Sequence, residues 1–226
     1  PLAEFHGETE IATLTAPRHD RPDEVVALFV LSGKASTSRC FPLAQHLYQE
    51  LTEKSLDDKS RFLEAILSRK AELENELAED GSALAARRAA ARLGPAEWVD
   101  ENMQGIAYLE FLRRLIPEAR RNWPRVLERL CATRDLIVRH SCLRGRLTAD
   151  QKSLAKLCGP FADLIERHDH APPPTPEWNV PEEPRHEGFV IPTRVNHISQ
   201  AVNLRAAGWR HDGIIHIVLN HLEPVY

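Results

Sequence analysis

The chain has 226 residues, 42% hydrophobic and 27% charged, with a formal charge of −4 at pH 7, enough for one large or two modest soluble domains. Net acidity argues against nucleic acid as the main partner, since the arginine pairs at 87/88, 113/114 and 120/121 recur on predicted helices with apolar opposite faces and read as solvated faces. The longest apolar run, residues 25–31, falls far short of the roughly 20 residues needed to cross a bilayer, so no membrane span is expected.

Residues 10–15 alternate weakly and predict a short strand, followed by a polar loop over 17–24. Residues 25–32 place Val25, Ala27, Phe29 and Leu31 on one side and Val26, Leu28 and Val30 on the other, the pattern of a strand buried on much of both faces. Gly33-Lys34 ends it, and a helix over 38–52 carries Phe41, Ala44, Leu47 and Leu51 on one stripe. Ser55 is the expected cap of a longer helix, with Asp57 and Asp58 in its first turn and Phe62, Ile66, Leu73 and Leu77 at helical spacing. Its charged stretch lacks three sustained heptads, so a half-exposed helix lying on a sheet is expected rather than a coiled coil. Asp80-Gly81 breaks it.

The segment 82–116 predicts three short helices. The first, over 82–93, is alanine-rich and anchored by Leu84 and Leu93. Gly94 stops it by taking the left-handed conformation, and Pro95 suits the first turn of the next helix, 96–102, anchored by Trp98. After Gly105 a third helix runs to about 115 with Ile106, Leu109, Leu112 and Ile116 along one face. A further helix over 118–132 holds Trp123, Val126, Leu127 and Leu130, and Pro124 implies a kink or a restart. Residues 135–142 return to period two and predict a strand. Thr148-Ala-Asp-Gln151 has the form of a capping box and opens a helix to about 168, interrupted at Gly159-Pro160.

Composition changes over 170–187, where six prolines and four acidic residues surround Trp178 and predict an extended, exposed connector. Beyond it lie a predicted strand over 188–198 and a helix starting at Asp212-Gly213 with Ile214, Ile217, Val218 and Leu222. One strand and one helix cannot bury their own faces, so this C-terminal piece must pack on the first domain or on a partner.

Candidate chemistry is sparse. Cys40, Cys131, Cys142 and Cys158 form no C-x-x-C pair and are expected to be free, buried thiols in a reducing compartment. A zincin needs H-x-x-E-H, or its inverse, to set two histidines one helical turn apart beside a carboxylate, and neither order occurs. His46 with Glu50 lacks the second histidine, His216 and His221 are five apart, and His168-Asp169-His170 fits a helix C-terminus favoured by the dipole. Ser32, Ser82 and Ser141 have no G-x-S-x-G context, and Gly33-Lys34-Ala35-Ser36 has only the tail of a phosphate-binding loop. The expected site is therefore empty: no catalytic, cofactor-binding or metal-ligating residue.

Two stretches carry a resemblance. Ala89, Ala91, Arg92, Leu93, Pro95, Ala96 and Trp98, followed by Gly105, Ile106, Tyr108, Leu109, Phe111, Leu112 and Arg113, are similar to a signature of the presequence peptidases, zinc metallopeptidases of the insulinase (pitrilysin) clan. Phe189-Val-Ile-Pro-Thr-Arg-Val-Asn196, with Ala201, Asn203 and Leu204, resembles that family's F-V-I/V-P-T-Q-V-N-Y-V-G-K-x-x-N-L. The chain departs from the pattern at Ser82, where the family has His, and at Arg194, Ser199 and Gln200, where it has Gln, Gly and Lys. The family's catalytic Arg and Tyr, in R-x-x-G-G-A-Y, have no counterpart here.

The resemblance implies a segment of the C-terminal, non-zinc half of such a peptidase. Its fold would be α+β, a mostly antiparallel sheet with helices packed on one face. A domain lacking its first elements would occupy 1–169, the connector 170–187, and the first strand and helix of a second similar domain 188–226. It would hold no cofactor of its own and would line the wall and cavity of a chamber that degrades unstructured targeting peptides, the zinc lying in a partner half. The resemblance places it in the mitochondrial matrix or plastid stroma. The alternative it leaves is a catalytically dead, peptidase-derived structural subunit of a larger organellar complex.

Overall fold

Near the N-terminus, alternating side chains form one antiparallel ribbon, β1 (Glu8–Pro17) against β2 (Val25–Lys34), in a register that opposes Ala12 to Val30 and Leu14 to Leu28. The computed structural model describes residues 8–18, 21, 24–79, 81–140, 144–166, 180, 186–191, 195–204, 206–209 and 213–222. Eight helices follow the ribbon: α1 (Cys40–Thr52), α2 (Lys59–Glu79), α3 (Gly81–Ala90), α4 (Pro95–Gln104), α5 (Ile106–Arg121), α6 (Trp123–His140), α7 (Gln151–Glu166) and α8 (Ile214–Leu222). The architecture is α+β. Helices meet the ribbon on one side, where Leu43 and Leu47 of α1 lie against Gly33 and would leave a Cβ there only 2.8 Å from Leu43 Cδ2.

The ribbon is less covered than its sequence predicts. Ile11 and Phe29 on one face and Leu14 and Leu28 on the other are all exposed, so the helices cover the two-stranded sheet only in part. The main core instead lies between helices. Ile66 and Leu73 of α2, Leu109, Leu112, Leu115, Ile116 and Ala119 of α5, and Val126 of α6 form one buried cluster. Helix α2 therefore packs on α5, not on the sheet as its half-apolar pattern suggested. Phe62 and Trp123 close one end of the cluster with ring centroids 5.3 Å apart, and the Trp123 indole N–H donates to Asp57 Oδ1 at 2.7 Å.

Helix starts follow short polar side chains, though not always the expected ones. Asp58, not Ser55, caps α2 by accepting from the Arg61 N–H at 2.9 Å. Asp150, not Thr148, caps α7 by accepting from the Lys152 and Ser153 N–H groups at 3.1 Å. Asn122 Oδ1 accepts from the Arg125 N–H and restarts the chain as α6, with Pro124 in the first turn where its missing donor has no cost. Gly94 is extended rather than left-handed, with φ −175°, and serves as N-cap of α4 with Pro95 as the first helical residue.

Three predicted boundaries are overturned. Residues 135–140 continue α6 instead of forming a strand. Helix propagation adds a hydrogen bond per residue without a new nucleus, and no glycine or proline lies between Pro124 and Arg139. Helix α7 runs through Gly159-Pro160 to Glu166 without a break. Its buried residue Leu164, beyond the proline, holds the last turns in place. The described parts of 188–198 pair with no strand, whereas the helix expected near 213 is present as α8. The connector falls almost wholly outside the described residues.

Leu112 is 1% exposed at the centre of the α2–α5–α6 cluster. Leu112→Ala is expected to lower the unfolding free energy by about 2–5 kcal/mol, measured by urea denaturation followed through helical circular dichroism. A loss under about 1 kcal/mol would remove this cluster as the main core.

Candidate functional site

The two stretches that carry the family resemblance meet in space at the α3–α4–α5 corner. Arg87 joins α3 to α4, its Nε donating to Asp100 Oδ2 at 2.8 Å and its Nη1 to the Gln104 carbonyl at 3.4 Å. Arg88 reaches across to the segment after the connector. Its Nε and Nη2 donate to the two carboxylate oxygens of Glu187, both at 2.7 Å, and its guanidinium lies 6.0 Å from the centroid of the Phe189 ring. Only 17% of the Arg88 side chain is exposed. The pair at 87/88 is thus a structural joint and not the solvated face that the sequence suggested.

Beneath Arg88 lies Glu101, with no exposed side-chain surface. Its Oε1 accepts from the Ala107 N–H at 3.0 Å and stands 3.8 Å from Arg88 Nη1. The carboxylate satisfies a free N–H in the first turn of α5, where the helix dipole favours negative charge. Oε2 has no hydrogen-bond partner. Gly105, between α4 and α5, lets this happen, since a Cβ there would overlap the Glu101 carboxyl group. Burial pushes the Glu101 carboxyl above its ordinary value, opposed by the Ala107 N–H and the Arg88 and Arg87 charges. The Arg88 hydrogen bonds hold Glu187 below the usual carboxylate range, against a smaller effect of burial.

Two further contacts fix the C-terminal segment on α3. The Asn203 side chain donates from Nδ2 to the Leu93 carbonyl at 3.1 Å and accepts from the Ala206 N–H at 3.0 Å. His197 lies so close to Gly81 that a Cβ there would fall 2.8 Å from its ring. No local pattern announces the Arg88–Glu187 and Asn203–Leu93 pairs, whose members are 99 and 110 residues apart. The buried anchors of α4 are Ala96, Val99 and Glu101, with Trp98 only half-buried.

Beside this corner, β1 and the α4–α5 turn border an open groove of about 730 Å³. Ile11, Met103, Tyr108 and Phe111 give it an apolar floor. Tyr108 stacks on Phe111 with centroids 6.3 Å apart, and Arg69 sits 6.0 Å from the Tyr108 centroid.

The sequence-derived metal candidates do not converge. His46 is half-buried on α1 and its neighbour Glu50 pairs with Lys54. His221 is exposed on α8, and His168-Asp169-His170 lies outside the described residues. No group of three or more His, Cys, Asp or Glu side chains among the described residues is arranged to hold a metal ion. Cys40, Cys131 and Cys158 are free thiols but not the buried ones expected, since Cys158 is exposed and the other two are half-buried. Cys142 lies outside the described residues. No described helix is long and apolar enough to cross a membrane.

The ribbon, the alanine-rich helix and the joint at Gly105 fall within residues 7–115, which match the family model described as peptidase M-16C associated. The chain resembles a presequence-peptidase segment of that type. It is 31% identical over 208 residues to presequence protease 1, chloroplastic/mitochondrial, of Arabidopsis thaliana, an alignment that covers 90% of this chain and 19% of that protein. It is 20% identical over 212 residues to protein HypA of Clostridium perfringens, covering 94% of this chain and 21% of that one. The chain thus spans about a fifth of the length of these curated relatives.

The Glu101 joint yields two expected outcomes in stability measurements. Gly105→Ala should cost about 1–3 kcal/mol, because the new methyl group displaces the buried carboxylate. Glu101 has a raised folded-state pKa, so its contribution is full below the unfolded value and is lost as pH rises through the folded one. Wild type should therefore lose stability relative to Glu101→Gln as pH increases across and above the carboxylate range. A difference between the two that stays flat from acid to neutral pH would contradict the buried carboxylate.

Proposed function

We infer that this chain is a non-catalytic segment of a presequence-peptidase-like zinc metalloendopeptidase, contributing chamber wall and substrate cavity while the metal chemistry belongs to a zinc-bearing partner half. The observation that carries this reading is the alignment of 90% of the chain with presequence protease 1, joined to a sequence that holds neither order of the zincin motif. Its described surface agrees with such a role: a helical scaffold and an open, partly apolar groove bordered by Arg69 and Arg114. Unstructured peptides, including cleaved targeting sequences, are the proposed substrates of the assembled peptidase. By resemblance to a chloroplastic/mitochondrial relative, its proposed location is the mitochondrial matrix or the plastid stroma.

Reconstitution tests the reading. The pure chain should not cleave a fluorogenic unstructured peptide. Mixed with an H-x-x-E-H-bearing polypeptide of the presequence-peptidase family, it should raise chelator-sensitive hydrolysis at least about 100-fold over that polypeptide alone, the order expected when positioning surfaces are completed around a catalytic centre. Chelator-sensitive turnover by the pure chain would overturn the non-catalytic assignment. Assembly into a large zinc-free complex with no peptide turnover would instead mark a structural subunit.

A further inference from the structure

We propose that Arg88 is a shared counterion that makes docking of the C-terminal segment on α3 sensitive to pH, with Glu101 and Glu187 competing for its guanidinium. The switch operates irrespective of what the assembled protein cleaves. Two carboxyl groups face this one cation from different parts of the chain. Glu187, where the segment meets α3, takes two donors of the guanidinium fork at 2.7 Å each. Glu101, fully buried, has its Oε1 3.8 Å from Arg88 Nη1, outside hydrogen-bond distance, and its Oε2 has no hydrogen-bond partner. Once Glu187 leaves the fork, a small rotation of Arg88 brings its donors to a carboxylate that lacks them.

Arg88 is the cation common to both carboxyl groups, and their other neighbours differ. Arg87, also on α3, faces Glu101 but donates to the adjacent Asp100 at 2.8 Å. From α5 the Ala107 and Ile106 N–H groups point at Glu101. Arg92 of α3 adds positive charge on the Glu187 side. On the segment itself, His186 is exposed beside Glu187, and His197 lies against Gly81.

Linkage gives the direction of the effect. While Glu187 occupies the fork, burial holds the Glu101 carboxyl above its ordinary value. Undocking frees the guanidinium to bond Glu101 and lowers that pKa. A group whose pKa is higher docked than undocked supports docking below the undocked value, and that support is lost as pH rises through the docked one. Glu187 has the opposite sign. The Arg88 hydrogen bonds hold it below the usual carboxylate range, so its support is present above that range and is lost as pH falls through the docked value. Docking is therefore strongest in a window closed by Glu187 on the acid side and by Glu101 on the alkaline side.

Hydrogen exchange of the full chain, read by mass spectrometry and corrected for the intrinsic effect of pH, tests the window. Protection of residues 195–204, taken relative to that of α5, should pass through a maximum and fall about tenfold on its alkaline side, an ordinary coupling between sites. Normalising to α5 separates undocking from loss of the whole fold. Glu101→Gln should abolish the alkaline fall and keep the acid one, whereas His197→Gln should keep both. Carbon-13 NMR of chains labelled at the glutamate carboxyl groups gives a readout independent of how Glu101→Gln folds. In Glu187→Gln, a substitution at the surface, Glu101 should titrate at lower pH than in wild type. Relative protection that shows no alkaline fall overturns the switch, as does a fall that survives Glu101→Gln or vanishes in His197→Gln. A Glu101 titration unmoved by Glu187→Gln overturns it equally.

Discussion

A single buried carboxyl group sits where three helices of this fold meet. Glu101 comes from the last turns of α4, caps α5 through the Ala107 N–H, and stands beneath an arginine from α3. A carboxyl group removed from water loses hydration that only hydrogen bonds and nearby positive charge can replace. It obtains one backbone donor, the favourable end of a helix and a guanidinium, yet one oxygen remains without a hydrogen bond. The balance raises the carboxyl pKa, and the carboxyl group packs so closely on Gly105 that a Cβ there would displace it.

The same arginine connects this centre to the C-terminal segment. A planar guanidinium offers several donors in fixed directions, so Arg88 can engage Glu187 through two parallel bonds while facing Glu101 and the ring of Phe189. Lysine in its place would retain the charge without that fork. Here the second resemblance motif docks on the first, and the pairing gives a physical reason for finding both motifs in one chain.

Much of the architecture is legible in the sequence wherever one residue dictates one geometry. Pro95 in a first helical turn, Gly105 as a break and the spacing of Ile106, Leu109, Leu112 and Ile116 identify α4 and α5 directly. Period two over 135–142 misleads because a short aliphatic run satisfies both periods, and an established helix extends into it. Pro160 misleads in the opposite direction, as buried contacts beyond it outweigh one missing hydrogen bond. The Arg88 joint is invisible for another reason. Its partners are a buried glutamate 13 residues away and a surface glutamate 99 residues away, and only the folded helices bring them together.

Both ends of the proline-rich stretch are tethered, upstream by the buried Leu164 of α7 and downstream by Glu187 on Arg88. The chain beyond it is positioned by the Arg88 fork and by Asn203 on the Leu93 carbonyl, so loss of either mooring would be felt at α3.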